Sequence, residues 1–276
     1  MNQKINALIF TVPLLVSFSC AQIEELTLQE TSVPVEVEPE VPKPGDMVLI
    51  PAGEFVMGTN EKVRGRPPFE RPERKLDLPS FKIDVYEVTH GQWMKFTTVS
   101  DYKPQGNWRQ FYSIGKEDFP VTNVTLDDAK AYCKWSGKRL PTEEEWEKAA
   151  RGPDGNKYPW GSKFDPYGSN CNEAGYRNTL EVGQIQLDKS PYDVYDMMGN
   201  AQEWTSNKLK PYPRSPARGR KEFRRGYYVV RGGSYAMKGG SMGLYTRSAF
   251  FPKSQYGIGF RCVQDVEEEE PVKSGN

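Results

Sequence analysis

Arg231-Gly232-Gly233-Ser234-Tyr235, followed by Gly259-Phe260-Arg261-Cys262, closes the informative part of this chain. Between them stand Met237 and Met242, in an interval loosened by Gly239, Gly240 and Gly243. A thioether never ionises to a thiolate, so neither methionine does thiol redox chemistry or supplies an anionic metal ligand. Working outward, the next dense block is Asp196-Met197-Met198-Gly199-Asn200-Ala201-Gln202-Glu203-Trp204. Before it come Tyr158-Pro159-Trp160-Gly161 and the run from Gly137 through Thr142 to Glu147.

The 276 residues are 37% hydrophobic and 27% charged, enough for one sizeable domain with tails. Lys+Arg and Asp+Glu both count 37, so no global field steers the chain to nucleic acid. Frequent Gly (25) and Pro (22) with 12% aromatics suggest a loop-rich domain pinned by aromatic packing, not a helical bundle. The N-terminus reads as an export signal: Lys4, an apolar core over Ala7 to Phe18, then Val16-Ser17-Phe18-Ser19-Cys20, similar to a bacterial lipobox. Cleavage nearby, for example after Ala21, is the alternative. A signal over 1–20 with Cys20 lipidated would anchor the protein to the membrane. Residues 21–45, rich in Glu, Pro and Val, read as a charged, semi-extended tether, and the acidic run from Glu267 as a disordered tail over 266–276. The folded part is expected over 46–265, without an internal repeat.

Met47 to Gly58 predicts two short strands around Pro51-Ala52-Gly53, and Phe81 to Val88 a further strand. Three capping boxes predict helices: Thr89 with Gln92, Thr125 with Asp128, and Thr142 with Glu145. Their inward faces are Trp93 and Phe96; Ala129, Tyr132 and Cys133; and Trp146, Ala149 and Ala150. Gly137 and Gly152 are the expected stops. The acidic run Glu143-Glu144-Glu145 suits the positive end of its helix dipole. By themselves these elements say only α+β.

Taken together and in order, the blocks above, with Ile50-Pro51-Ala52-Gly53-Glu54-Phe55 and Tyr86-Glu87-Val88-Thr89, resemble the formylglycine-generating enzyme (sulfatase-modifying factor) domain over nearly its whole length. The resemblance implies a single irregular α+β domain, C-type-lectin-like, with low regular secondary structure. It also implies a disulfide between Cys133 and Cys262, which would persist in an exported protein and contribute ~4–5 kcal/mol by the chain-entropy estimate. Cys171 is then left over, either a reactive thiol or a half-buried spectator.

The same resemblance implies a structural calcium ion held by the side chains of Asp196 and Glu203 and the carbonyls of Gly199 and Ala201, the hard-oxygen set that calcium prefers. Merely solvated acids are the alternative. A second family calcium site would use Asn170 and the carbonyl of Cys171, but the loop from Asn178 to Val182 offers it no Asp. In active members a cysteine pair follows the RGGS segment, binds copper and activates dioxygen. Here Met237 and Met242 occupy those positions, Ser234 is retained, and Gln202 replaces the tryptophan of the oxygen pocket. Copper-dependent formylglycine generation is therefore not expected. The two methionines are either soft copper(I) ligands or packing residues. Iron-dependent relatives need several histidines, and only His90 is present, expected at the surface. No zinc pattern occurs.

The segment from Lys208 to Arg225 carries Lys208, Lys210, Arg214, Arg218, Arg220, Lys221, Arg224 and Arg225 against one acid, Glu222. It is either a solvated insertion or a grip for an anionic glycan, small molecule or acidic protein. Two functions follow: a lipid-anchored binding or scaffold protein of the bacterial cell envelope, or an enzyme of altered chemistry on the same fold.

Overall fold

In the computed structural model, residues 41–62 and 68–266 are described. The signal peptide with Cys20, most of the tether and nearly all of the acidic tail lie outside them. Among the described residues, nine short strands and three α-helices are joined by long loops. The strands are β1 (Met47–Ile50), β2 (Gly53–Met57), β3 (Arg74–Leu78), β4 (Phe81–Asp84), β5 (Gln202–Lys208), β6 (Tyr228–Arg231), β7 (Ser248–Phe250), β8 (Ile258–Gly259) and β9 (Val263–Asp265). The helices are α1 (His90–Val99), α2 (Leu126–Trp135) and α3 (Glu143–Arg151). The sheets run β1-β4-β9, β2-β3 and β7-β6-β5-β8.

All three expected capping boxes form, each with the Thr side chain accepting from the N3 backbone and the N3 side chain returning to the cap. Gly152 ends α3 at φ 67°, a left-handed conformation that a Cβ disfavours. The strands around Pro51-Ala52-Gly53 form but join different sheets: β1 pairs antiparallel with β4, and β2 with β3. The strand expected to Val88 stops at Asp84. Beyond it the Val85 N–H donates to the Asp46 carbonyl and the Val88 N–H to the Phe260 carbonyl, so the backbone is satisfied by loops instead of a ladder.

Two clusters make most of the core. One gathers Trp93, Phe96, Tyr132, Trp204 and Phe260 between α1, α2 and the β5–β8 edge. The other gathers Trp146, Ala149 and Ala150 of α3 with Met197, Met198, Met242 and Leu244. Cys133 and Cys262 are disulfide-bonded across a sequence separation of 129, tying α2 to the residue before β9.

The register of the four-stranded sheet brings the sequence blocks together. Glu203 of β5 stands opposite Arg231 of β6 on one side and Gly259 of β8 on the other. The segments that decided the reading are thus neighbouring strands.

Candidate functional site

Beneath those strands lies a buried cluster of acids. Glu203 is fully buried and accepts from Trp146 Nε1 at 2.8 Å and from Arg261 Nε and Nη2, both at 2.8 Å. Asp196, at φ 61°, turns its carboxylate to the Gly183 N–H at 2.7 Å. Asp188 accepts from the Met198 N–H at 3.0 Å, and Glu87 from Asn200 Nδ2 at 2.7 Å and the Ala201 N–H at 2.9 Å. The cation facing these four carboxylates is Arg261, whose remaining bonds go to the carbonyls of Asp84, Val85 and Tyr195. Burial, then repulsion from Asp196, pushes both Glu87 and Asp188 well above the usual carboxylate range. Burial likewise raises Asp196 to about 7, against the opposing pull of the Gly183 amide and Arg261. Sequence reasoning singled out Asp196 and Glu203 but missed Glu87 and Asp188. Glu87 sits inside the Tyr86–Thr89 block, and that was the available signal.

Gly199 has a packing role of its own. A Cβ there would lie 2.4 Å from the Asn170 carbonyl. Asn170 is buried; its Nδ2 donates to the Asn178 carbonyl and Asn200 Oδ1, while its Oδ1 has no partner. Among the described residues, no three His, Cys, Asp or Glu side chains converge as a metal site. A calcium set of two carboxylates and two carbonyls does not need three. The donor chemistry fits such an ion, since four buried carboxylates face one guanidinium, and Asp196 and Glu203 Oε1 keep lone pairs, whereas Glu203 Oε2 is taken by Trp146 and Arg261.

The expected reaction centre looks different. Met242 is buried in the α3 cluster, with its methyl group 2.7 Å from where a Gly233 Cβ would stand. Met237 is half-buried against the same cluster, and its carbonyl accepts from the Asn172 N–H at 2.9 Å. Ser234 is partly exposed, and its carbonyl accepts from the Met237 N–H at 2.9 Å. Gln202 turns its amide to Ser248 Oγ at 2.9 Å on β7. Cys171 is buried beneath the glycine turn, with Sγ 2.8 Å from a hypothetical Gly239 Cβ, and burial pushes its thiol up. A thiol held neutral is a poor nucleophile.

His90 is not at the surface. It is 2% exposed, 5.4 Å from the Tyr112 ring and 6.1 Å from Trp108, and its Nδ1 has no partner. As the first residue of α1 it follows its Thr89 cap into the protein, because the Gly91 N–H and its own N–H bond the Glu117 and Phe119 carbonyls of the covering loop.

The basic segment 208–225 is an anchored loop. Tyr212 is buried between two guanidinium groups, Arg74 and Arg247, each 4.3 Å from its ring centre, and accepts from Arg231 at 3.1 Å. Arg247 in turn grips Glu143 with two bonds of 2.8 Å and donates to the Lys210 carbonyl. Leu209, Ser215 and Ala217 are buried as well. Its cations point outward while its aromatic plug is locked in.

Fold and strand-borne motifs define an FGE-type domain. The sulfatase-modifying factor enzyme 1-like domain model matches residues 33–266, and the chain belongs to that family. It is 30% identical over 288 residues to a formylglycine-generating enzyme of Bos taurus, covering 80% of this chain and 75% of that one. It is 32% identical over 218 residues to the inactive C-alpha-formylglycine-generating enzyme 2 of Bos taurus, covering 60% of this chain and 71% of the other. The structure of PvdO from Pseudomonas aeruginosa superposes with a TM-score of 0.67 at 26% identity, covering 82% of this chain and all of that one.

Proposed function

We propose that this protein is an exported, lipid-anchored binding protein of the bacterial cell envelope, using the formylglycine-generating fold without its copper oxidase chemistry. The observation that carries the reading is the pair Met237 and Met242 where active relatives have cysteines, with Met242 packed in the core against Gly233. A buried thioether gives copper no anionic sulfur and dioxygen no reductant. The one free thiol among the described residues, Cys171, is buried and held protonated. That a relative is itself named inactive supports the same reading. The test is to incubate the purified full-length chain with copper and a cysteine-containing peptide. Mass spectrometry should find no formylglycine; aldehyde formation above a copper-only control refutes the proposal. Lipidation is tested by labelling cells with a fatty-acid probe, with loss of label expected in Cys20→Ser.

Structural calcium belongs to the same proposal. Asp196 and Glu203 would hold it with the Gly199 and Ala201 carbonyls, and it would relieve the acid excess around Arg261. A ligand at a hundred times its dissociation constant stabilises the folded state by ~2.7 kcal/mol. Chelation should therefore lower the melting temperature of the wild type but not of Glu203→Gln. Equal melting with and without chelator refutes the site.

An enzyme of altered chemistry is the second reading, favoured by the Gln202–Ser248 bond, which holds a cleft-lining hydroxyl against a buried amide. It predicts that Gln202→Ala and Ser234→Ala abolish function in cells while leaving folding and partner capture intact.

A further inference from the structure

The turn Lys221–Arg224 carries the basic loop to the mouth of a cleft of about 380 Å³. This volume falls within the ~300–1,000 Å³ range of small-ligand sites. Its walls are the rings of Phe69, Tyr227 and Phe250, and its polar groups come from Ser248, Glu70, Glu222 and Arg247. The loop is fixed to these walls. Phe223 packs edge-on against Phe69 at 5.2 Å, Arg220 lies 5.7 Å from the same ring and pairs with Glu222 at 3.0 Å, and Arg225 donates to the Tyr227 hydroxyl. Tyr227 also packs on the exposed ring of Phe251, with centroids 4.4 Å apart. Lys221 and Arg224 are exposed on the turn itself.

We propose that this cleft and its cationic rim bind an acidic glycan, with a sugar ring against the aromatic walls and its sulfate, phosphate or carboxylate substituent on Lys221 and Arg224. The inference rests on the binding-protein reading above and names its ligand class. Three features select a sugar over an acidic peptide. Flat aromatic faces match the C–H face of a sugar ring. Glu222 keeps acceptor lone pairs beside its one bond to Arg220, so it takes hydrogen bonds from hydroxyl groups, which an acidic side chain does not offer. The cation in the cleft wall, Arg247, is 3% exposed and committed to Glu143 and the Phe69 carbonyl, so the exposed cations are those of the rim, and the neutral and anionic parts of the ligand are read at separate places. The Tyr212 plug holds the loop in place before binding, so little ordering entropy opposes association.

The test uses the full-length chain in detergent, at physiological ionic strength so that non-specific attraction is screened. The probes are a sulfated dextran oligosaccharide, an unmodified dextran of equal length, and polyglutamate. The expected order is sulfated dextran first, dextran weaker, polyglutamate not at all. Lys221→Gln with Arg224→Gln, both exposed and harmless to folding, should weaken sulfated dextran about tenfold and leave dextran unchanged. Tyr227→Leu should weaken both sugars, with Phe250→Leu as a second variant if the first melts early. Polyglutamate binding equal to sulfated dextran, with Tyr227→Leu silent, overturns the proposal in favour of charge alone. Absence of binding by all three probes also overturns it. Neither result touches the binding-protein reading, which falls if formylglycine is formed or if Gln202→Ala and Ser234→Ala abolish function with folding and partner capture intact.

Discussion

Acidification tests the burial of His90 directly, because it is the sole histidine and gives a single imidazole resonance. Its ring is enclosed by Trp108 and Tyr112, its Nδ1 lacks a partner, and the charged groups facing it are Lys116 and Glu117. Burial, then the Lys116 ammonium, lowers its pKa from 6.5 to about 4, with Glu117 pulling weakly the other way. In the unfolded chain the ring titrates near its ordinary ~6.5. Above that value neither state is protonated, and the stability owed to the neutral ring is fully present. As pH falls from 6.5 toward about 4 the unfolded chain takes up a proton that the folded chain refuses, and stability drops by about 1.4 kcal/mol per pH unit. The total reaches ~3 kcal/mol, a large part of the 5–15 kcal/mol that typically holds a domain folded. Carboxylates titrate over the same range, so the informative quantity is the difference between wild type and His90→Gln in urea unfolding at neutral and acid pH. Wild type should lose ~3 kcal/mol more than the variant between pH 7 and 4, and the imidazole resonance should titrate near pH 4. A midpoint at or above 6.5, or parallel pH curves for the two proteins, refutes the burial argument.

Other parts of the fold make separate predictions. Cys133→Ser opens a loop of sequence separation 129 and should lower stability by ~4–5 kcal/mol in denaturant titrations. Arg261→Gln leaves Glu203 buried without its cation, and a loss of ~3–5 kcal/mol is expected, read as a fall in the unfolding midpoint. Thr142→Ala removes the cap of α3 and should cost about 1 kcal/mol; no change would mean that Asn207, which accepts from the Glu143 N–H, caps the helix alone. Tyr212→Ala should release the basic loop and expose Arg214 and Arg218 to trypsin, whereas Tyr212→Phe keeps the ring between its two arginines and resists cleavage.

What the sequence made legible was local or strand-borne. Capping boxes and glycine stops depend on residues three or four apart, so Thr89, Thr125, Thr142 and Gly152 announced the helices without reference to the rest of the fold. The paired strands carrying Glu203 and Arg231 were visible as blocks because each is a short continuous run of sequence, which the sheet then sets side by side. Burial set by distant segments was not legible. His90 follows a cap, where exposure is the ordinary expectation, and the segment running from Trp108 to Phe119 covers it. Tyr212 lies among prolines and cations in a segment that reads as solvated, yet Arg74 and Arg247, far away in sequence, close on its ring. Glu87 and Asp188 join Asp196 and Glu203 through long loops with no periodicity.

The residues that made the family recognisable are those that hold the molecule together. Arg231 of the RGGS segment is fully buried and bonds Glu143, Glu147 and Tyr212, joining α3 to the basic loop. Arg261 of the GFRC segment is fully buried on Glu203, and Glu203 also takes the indole of Trp146. Removing one partner from any of these pairs strands a charge in the interior at a cost of several kcal/mol, so the fold demands them whatever reaction it hosts. Met237 and Met242 bear no such burden, since both are uncharged side chains that only pack against the α3 cluster. Chemistry at the RGGS loop can therefore be lost by side-chain exchange while every structural mark of the family persists. The motif reports the scaffold, and the proposed glycan binding rests instead on the cleft and the basic loop, where this chain's own residues stand.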